Sequence, residues 1–122
     1  MSRQNLSDNK LYDPRIQRGW RLEKQVWIPA DNAVFDINFN SYIELDPAGA
    51  VDILMPESTA ARAGICFLLS NISANTVTLK TNGDAAFTTA ISIATLENTL
   101  VFCTGSATQA IGWRALATAL SS

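Results

Sequence analysis

Histidine is absent from this 122-residue chain, and with it go the Ser-His-Asp and Cys-His nucleophile arrangements, the commonest general base and the commonest metal ligand. Cysteine is nearly absent. Cys66 and Cys103 stand 37 positions apart with no His to complete a zinc-ligand spacing. Both lie in apolar runs, which predicts buried, free thiols rather than a disulfide. Charge is scarce as well, at 16% of residues against the roughly 25% of an ordinary soluble domain, and a surface so poor in charge suits burial against neighbours. The six glycines are scattered at positions 19, 49, 64, 83, 105 and 112, so no Gly-rich phosphate loop precedes a helix. No apolar run approaches the roughly 18 residues a membrane helix needs; the strongest, residues 65–69, has the length of a strand. The first residues, with Arg3, Gln4, Asn5, Asp8 and Asn9, lack the apolar stretch of a secretory signal, and synthesis in the cytoplasm is the expectation.

Paired carboxylates are the acid–base chemistry that remains, Asp36 with Glu44 and Asp46 with Asp52. Each pair alternates with apolar residues or flanks a turn, the pattern of a solvated sheet face. Asp46 and Asp52 also lack the regular acidic spacing of a calcium loop. The chain reads as no enzyme, with no metal and no cofactor.

What is present divides by charge. Residues 1–25 hold Arg3, Lys10, Arg15, Arg18, Arg21 and Lys24 against Asp8, Asp13 and Glu23, a net of +3; the remaining 97 residues hold three cations against eight carboxylates, a net of −5. A basic N-terminal arm (1–25) on an acidic body (26–122) points to docking rather than chemistry. Arg15, Arg18, Arg21 and Lys24 recur every three residues around Trp20. That spacing can lay guanidinium groups along phosphates with an aromatic stacked on a base, but the acidic body would repel a polyanion. A protein partner fits better, with Trp20 and Trp27 as anchors and Arg15, Arg18, Arg21 and Lys24 on carboxylates. The plain structural alternative makes Trp20, Leu22, Val26 and Trp27 a first strand.

The body is written in period two. Phe35, Ile37 and Phe39 share one face of residues 34–39, the cleanest half-buried strand in the sequence. The alternation repeats at Tyr42 to Leu45 and at Val51, Ile53 and Met55, stopped by Pro56; residues 59–64 are a small-residue connection with room for one helical turn. Residues 65–69 are apolar on both faces, an inner strand. Asn82-Gly83 between two strand-like runs predicts a two-residue hairpin. Residues 90–96, 99–103 and 111–117 complete about nine short strands at spacings near ten residues, which predicts an all-β fold, an antiparallel β-sandwich or jelly roll with an extended N-terminal arm.

The run Asp46-Pro47-Ala48-Gly49-Ala50-Val51-Asp52-Ile53-Leu54-Met55-Pro56, then Gly64 to Leu69, Asn71, Thr76-Val77-Thr78-Leu79 and Trp113-Arg114, resembles the small β-rich cement or decoration proteins of tailed bacteriophage heads. The resemblance covers about residues 42–117 and leaves the arm unmatched. It implies a non-enzymatic virion protein on the capsid surface, a homotrimer or a dimer, that binds the major capsid protein and bridges neighbouring capsomers, with no catalytic residues; apart from the resemblance, the sequence predicts no membrane partner and disfavours nucleic acid. The alternative is a phage fibre or a receptor- or carbohydrate-binding β-domain, with the loops at residues 38–42 and 104–109 as its contact points; a nucleic-acid-binding protein is the third class.

Overall fold

The computed structural model describes residues 22–116 and the backbone of the short strand Ala119–Leu120. The regular structure of the described chain is strand: β1 (Lys24–Trp27), β2 (Ala33–Val34), β3 (Tyr42–Leu45), β4 (Val51–Leu54), β5 (Cys66–Asn71), β6 (Val77–Lys80), β7 (Ala86–Ile93), β8 (Glu97–Cys103), β9 (Trp113–Ala115) and β10 (Ala119–Leu120). Two 3-10 turns, Ala60–Arg62 and Gln109–Ile111, are the helical elements among the described residues. The all-β expectation therefore holds.

The strands form two mixed sheets. The large sheet has the order β1-β3-β5-β8-β10, with β9 also on β8; the small sheet has the order β2-β4-β6-β7. Up to β6 the chain alternates between them, so that each strand lies parallel to the one two steps earlier: β1 with β3, β3 with β5, β2 with β4 and β4 with β6. From β7 onward the pairs are antiparallel. The antiparallel expectation is thus corrected for the first half of the fold. A ten-residue step carries the chain to the facing sheet instead of to a hairpin partner, and two such steps supply the long crossover that parallel strands need.

Inward-pointing residues of both sheets fill one core. Ile43, Leu45, Phe67, Leu69, Val101 and Trp113 come from the large sheet, and Val51, Ile53, Val77, Leu79, Ile91 and Ile93 from the small one. Phe35 and Met55 enter from the connections. Trp27, Phe35, Phe39, Phe67 and Trp113 form a chain of ring contacts through that core, centroids 4.7 to 6.4 Å apart, the offset and edge-on spacings that aromatic rings prefer.

Three local expectations fail for identifiable reasons. The strand read over residues 34–39 ends at Val34. The Phe35 N–H still reaches the Leu54 carbonyl at 2.9 Å, but the Asp36 carboxylate then accepts the Asn38 N–H at 2.8 Å and the Asp36 carbonyl accepts the Phe39 N–H at 3.0 Å. An Asx turn has replaced the ladder, and Phe35 and Phe39 still reach the core. At Asn82-Gly83 the positive φ falls on Asp84 (63°), whose N–H donates to the Thr81 carbonyl at 2.9 Å: a three-residue connection instead of a two-residue one. The hairpin is irregular beyond it, with Leu79 opposite Ile91 but Lys80 opposite Ala86, so residues 87–90 bulge out of the ladder. Finally, Cys103 is buried as expected, its Sγ 3.4 Å from the Ser58 hydroxyl, but Cys66 is exposed. The even-numbered side of β5 faces outward, because β5 is central within its sheet without being covered on both faces.

Two polar devices hold the sheets together at their rims. Where large-sheet strands pass to small-sheet strands, the buried Asn71 amide donates to the Asn75 and Ile93 carbonyls at 2.6 and 2.9 Å and accepts from the Ser73 N–H and hydroxyl at 3.0 and 2.7 Å. All its polar capacity is used. At the opposite rim the Gln109 amide grips Ser58, accepting its N–H at 2.7 Å and donating to its carbonyl at 3.0 Å, while the Trp113 indole donates to the Pro56 carbonyl at 2.9 Å. Gly112 allows this approach: a Cβ there would lie 2.4 Å from the Ser58 Cβ.

Candidate functional site

Strand register sets which outward side chains of the large sheet become neighbours. Three cross-strand rows result: Cys66, Phe102 and Arg114; Lys24, Tyr42, Leu68 and Leu100; Val26, Glu44, Ser70 and Asn98. The ladder continues one step further, with the Asp46 N–H on the Trp27 carbonyl, the Ile72 N–H on that of Leu45 and the Leu96 N–H on that of Asn71. This adds a fourth row, Ile28, Asp46, Ile72 and Leu96.

That face is apolar to a degree unusual for a solvated sheet. Eight large apolar side chains are exposed among the described residues, and six of them belong to this face or prolong it: Leu22, Val26, Ile28, Ile72, Leu96 and Leu116, between 39 and 68% exposed. The half-buried Leu68, Leu100 and Phe102 lie between them. Leu96 is the most telling, because an exposed leucine holds a left-handed backbone (φ 62°) where Gly or Asn would fit without strain. Strain of this kind collects where a side chain is kept for use.

The polar groups on the face are arranged around Glu44. Its carboxylate accepts the Tyr42 hydroxyl at 3.2 Å and pairs with Lys24 at 3.5 Å. Burial first, and then the Glu44 charge and hydrogen bond, push the Tyr42 phenol up from its ordinary value, partly offset by Lys24. Ser70 donates to the Asn98 side-chain carbonyl at 2.6 Å. Across the sheet, Arg114 is exposed and makes no ion pair with a described carboxylate.

Of the arm residues, Lys24 and Trp27 lie in β1, so the first strand begins inside the segment assigned to the arm. Lys24 meets Glu44 of its own chain. Trp27 turns inward, its ring 4.9 Å from Phe39 and 5.8 Å from Phe35, an anchor of the core. Arg15, Arg18, Trp20 and Arg21 lie outside the described residues. The carboxylate pairs are parted into local duties: Asp36 closes its turn, Glu44 serves Tyr42 and Lys24, and Asp52 pairs with Lys80 at 3.3 Å. Among the described residues no three His, Cys, Asp or Glu side chains gather as metal ligands do.

The connections holding residues 38–42 and 104–109 emerge at one rim, on either side of the residue 55–65 connection that Gln109 grips. Beside that rim runs an open groove of about 460 Å³ between the β7 bulge and β9, lined among others by Thr88, Thr89, Ile111 and Leu116. The apolar face itself was signalled in the sequence only by residues 65–69, apolar on both sides. Comparison with protein-family models, with curated proteins and with solved structures finds no match for this chain.

Proposed function

We propose that this protein is a non-enzymatic structural component of a phage virion, a decoration protein that binds the outside of the head through its basic N-terminal segment and associates with its own copies through the body. The two sheets are read as a β-sandwich, the architecture that the spacing of the short strands predicts. The observation that carries the proposal is the outer face of the large sheet: apolar side chains at six exposed positions, one of them on strained backbone, beside polar groups engaged in local contacts. Surfaces of this kind mark protein interfaces. Many weak attachments on a lattice act together, because each bound module raises the effective concentration of the next contact.

The test is cosedimentation of the full chain with assembled heads from its source. Wild type is expected in the pellet, and a variant with Arg15→Glu, Arg18→Glu and Arg21→Glu in the supernatant. Equal pelleting of both would remove the basic segment from the docking role, and failure of the wild type to pellet would remove the shell.

A second reading, a fibre or receptor-binding domain, is favoured by one observation: three connections converge on a single rim and are braced there by Gln109 and Trp113. Rigidly mounted loops are how many binding domains present their contacts. Saturable binding on a glycan array, lost on substituting Asn40 and Thr108, would decide for it.

A further inference from the structure

We propose that the outer face of the large sheet is the seam of a homodimer, two copies packed face to face on a two-fold axis that passes through the Leu68–Leu100 pair. The inference rests on the self-association within the reading above and gives it a surface and a partner. It needs no shell.

The occupant follows from how charge is placed. Glu44 and Asp46 lie on the β3 side, where Lys24 of β1 offsets one of the two charges and leaves a net of −1, and Arg114 lies on the β9 side, three strand steps away in the order β3-β5-β8-β9. Between them stand the uncharged Leu68, Ser70, Asn98, Leu100 and Phe102. A face with opposite signs at its two sides and an apolar middle is complementary to itself after a half-turn, the requirement of an isologous interface. The basic segment of residues 1–21 matches it less well, since five cations against two carboxylates suit the acidic side but are repelled by Arg114.

Register also fixes where the axis falls. Glu44 shares a row with Asn98, and Arg114 shares one with Phe102, so the point midway between Glu44 and Arg114 lies between β5 and β8 in the row of Leu100. That is the Leu68–Leu100 pair. At about 4.8 Å between strands and about 3.3 Å per residue, Glu44 and Arg114 are separated by roughly 14 Å across and 13 Å along the sheet. A half-turn that lays Glu44 over Arg114 of the second copy therefore crosses the sheets near a right angle, one of the two ways sheets pack. The face covers roughly 24 by 23 Å, about 550 Å² per copy, below the roughly 800 Å² of a standard interface. The dimer is accordingly weak and visible only as concentration rises.

Sedimentation velocity of the full chain over a concentration series, in reductant because Cys66 is an exposed thiol, tests this. Wild type is expected to pass from monomer to dimer. Leu100→Lys, and the safer Val26→Lys at an exposed position, should abolish the dimer with an unchanged circular-dichroism spectrum. Arg114→Glu and Glu44→Arg should each weaken it by about tenfold or more, and the combined variant should recover it. Leu96→Gly should raise the melting temperature while weakening association, a split that a purely structural residue does not produce. A monomer at every concentration, or a dimer indifferent to both lysine variants, overturns the seam; singly weakened variants without recovery in the combined one overturn the two-fold arrangement. Loss of head binding with the dimer intact would count against the shell reading alone.

Discussion

The outward sides of the two sheets differ although their inward sides are alike. Beneath, both present Ile, Leu, Val and aromatic side chains to one core. Above, the small sheet shows Asp52, Thr78 and Ser92 in one row and Val34, Leu54 and Lys80 in the next, with Asp52 paired to Lys80, a mixed face with a single exposed large apolar side chain, Val34, among its described strand residues. The large sheet shows Leu68, Leu100 and Phe102 flanked by six exposed apolar residues. Period-two alternation is therefore a statement about the core alone. Which outward face is polar and which is apolar is decided by the residues that register brings side by side.

The part of this comparison that the sheets share breaks most severely at Trp113. Trp113→Ala removes a buried ring that touches Phe67 and orphans the Pro56 carbonyl, and should cost about 3–5 kcal/mol in a denaturant melt. Asn71→Leu should cost about 2–4 kcal/mol, because the Ser73 N–H and the Ile93 carbonyl lose their buried partner at the rim joining the sheets. Gly112→Ala, forced against Ser58, should cost about 1–3 kcal/mol. Each lesion should lower the melting transition as one cooperative unit; two separable transitions would show that the sheets do not share a core.

The outward difference is sharpened by a smaller change. Thr78→Lys on the small sheet should alter stability by no more than about 0.5 kcal/mol and leave sedimentation unchanged, in contrast to Leu100→Lys. The smallest effect is at Tyr42. Burial and Glu44 keep the phenol protonated, so its folded pKa lies above the unfolded value near 10. Its contribution is whole below that value and is lost as pH rises through the folded pKa. Tyr42→Phe should therefore flatten the fall of melting temperature between about pH 9 and pH 11. An unchanged slope would mean that Tyr42 is solvated in the folded state.

Strands whose identity is local were legible in the sequence. Tyr42–Leu45, Val51–Leu54 and Val77–Lys80 carry unbroken alternation and clear stops, and the small-residue stretch did become a single 3-10 turn at Ala60–Arg62. Residues 34–39 misled because Asp36 offers the backbone an alternative partner two residues on, something alternation does not register. Parallel pairing was hidden because successive coils differ in length: Lys24 meets Tyr42, 18 residues on, but Tyr42 meets Leu68, 26 residues on, so no repeat shows in the text. The apolar outer face was hidden for the same reason. Tyr42, Leu68 and Leu100 become neighbours only once strand order is known. Trp27 and Lys24, which the sequence offers as contacts for a partner, pack in the structure against Phe39 and beside Glu44 of their own chain.

The bulge at residues 87–90 has a consequence for the free edge of the small sheet. β7 is one of the two edges of the small sheet and has eight residues without a charge or a proline, a composition that invites strand-by-strand addition and open-ended fibres. With Phe87 pinned in the core and four residues displaced from the ladder, an arriving strand finds no continuous line of donors and acceptors to copy. Strand-by-strand addition at this edge is blocked by the same four residues that leave the ladder.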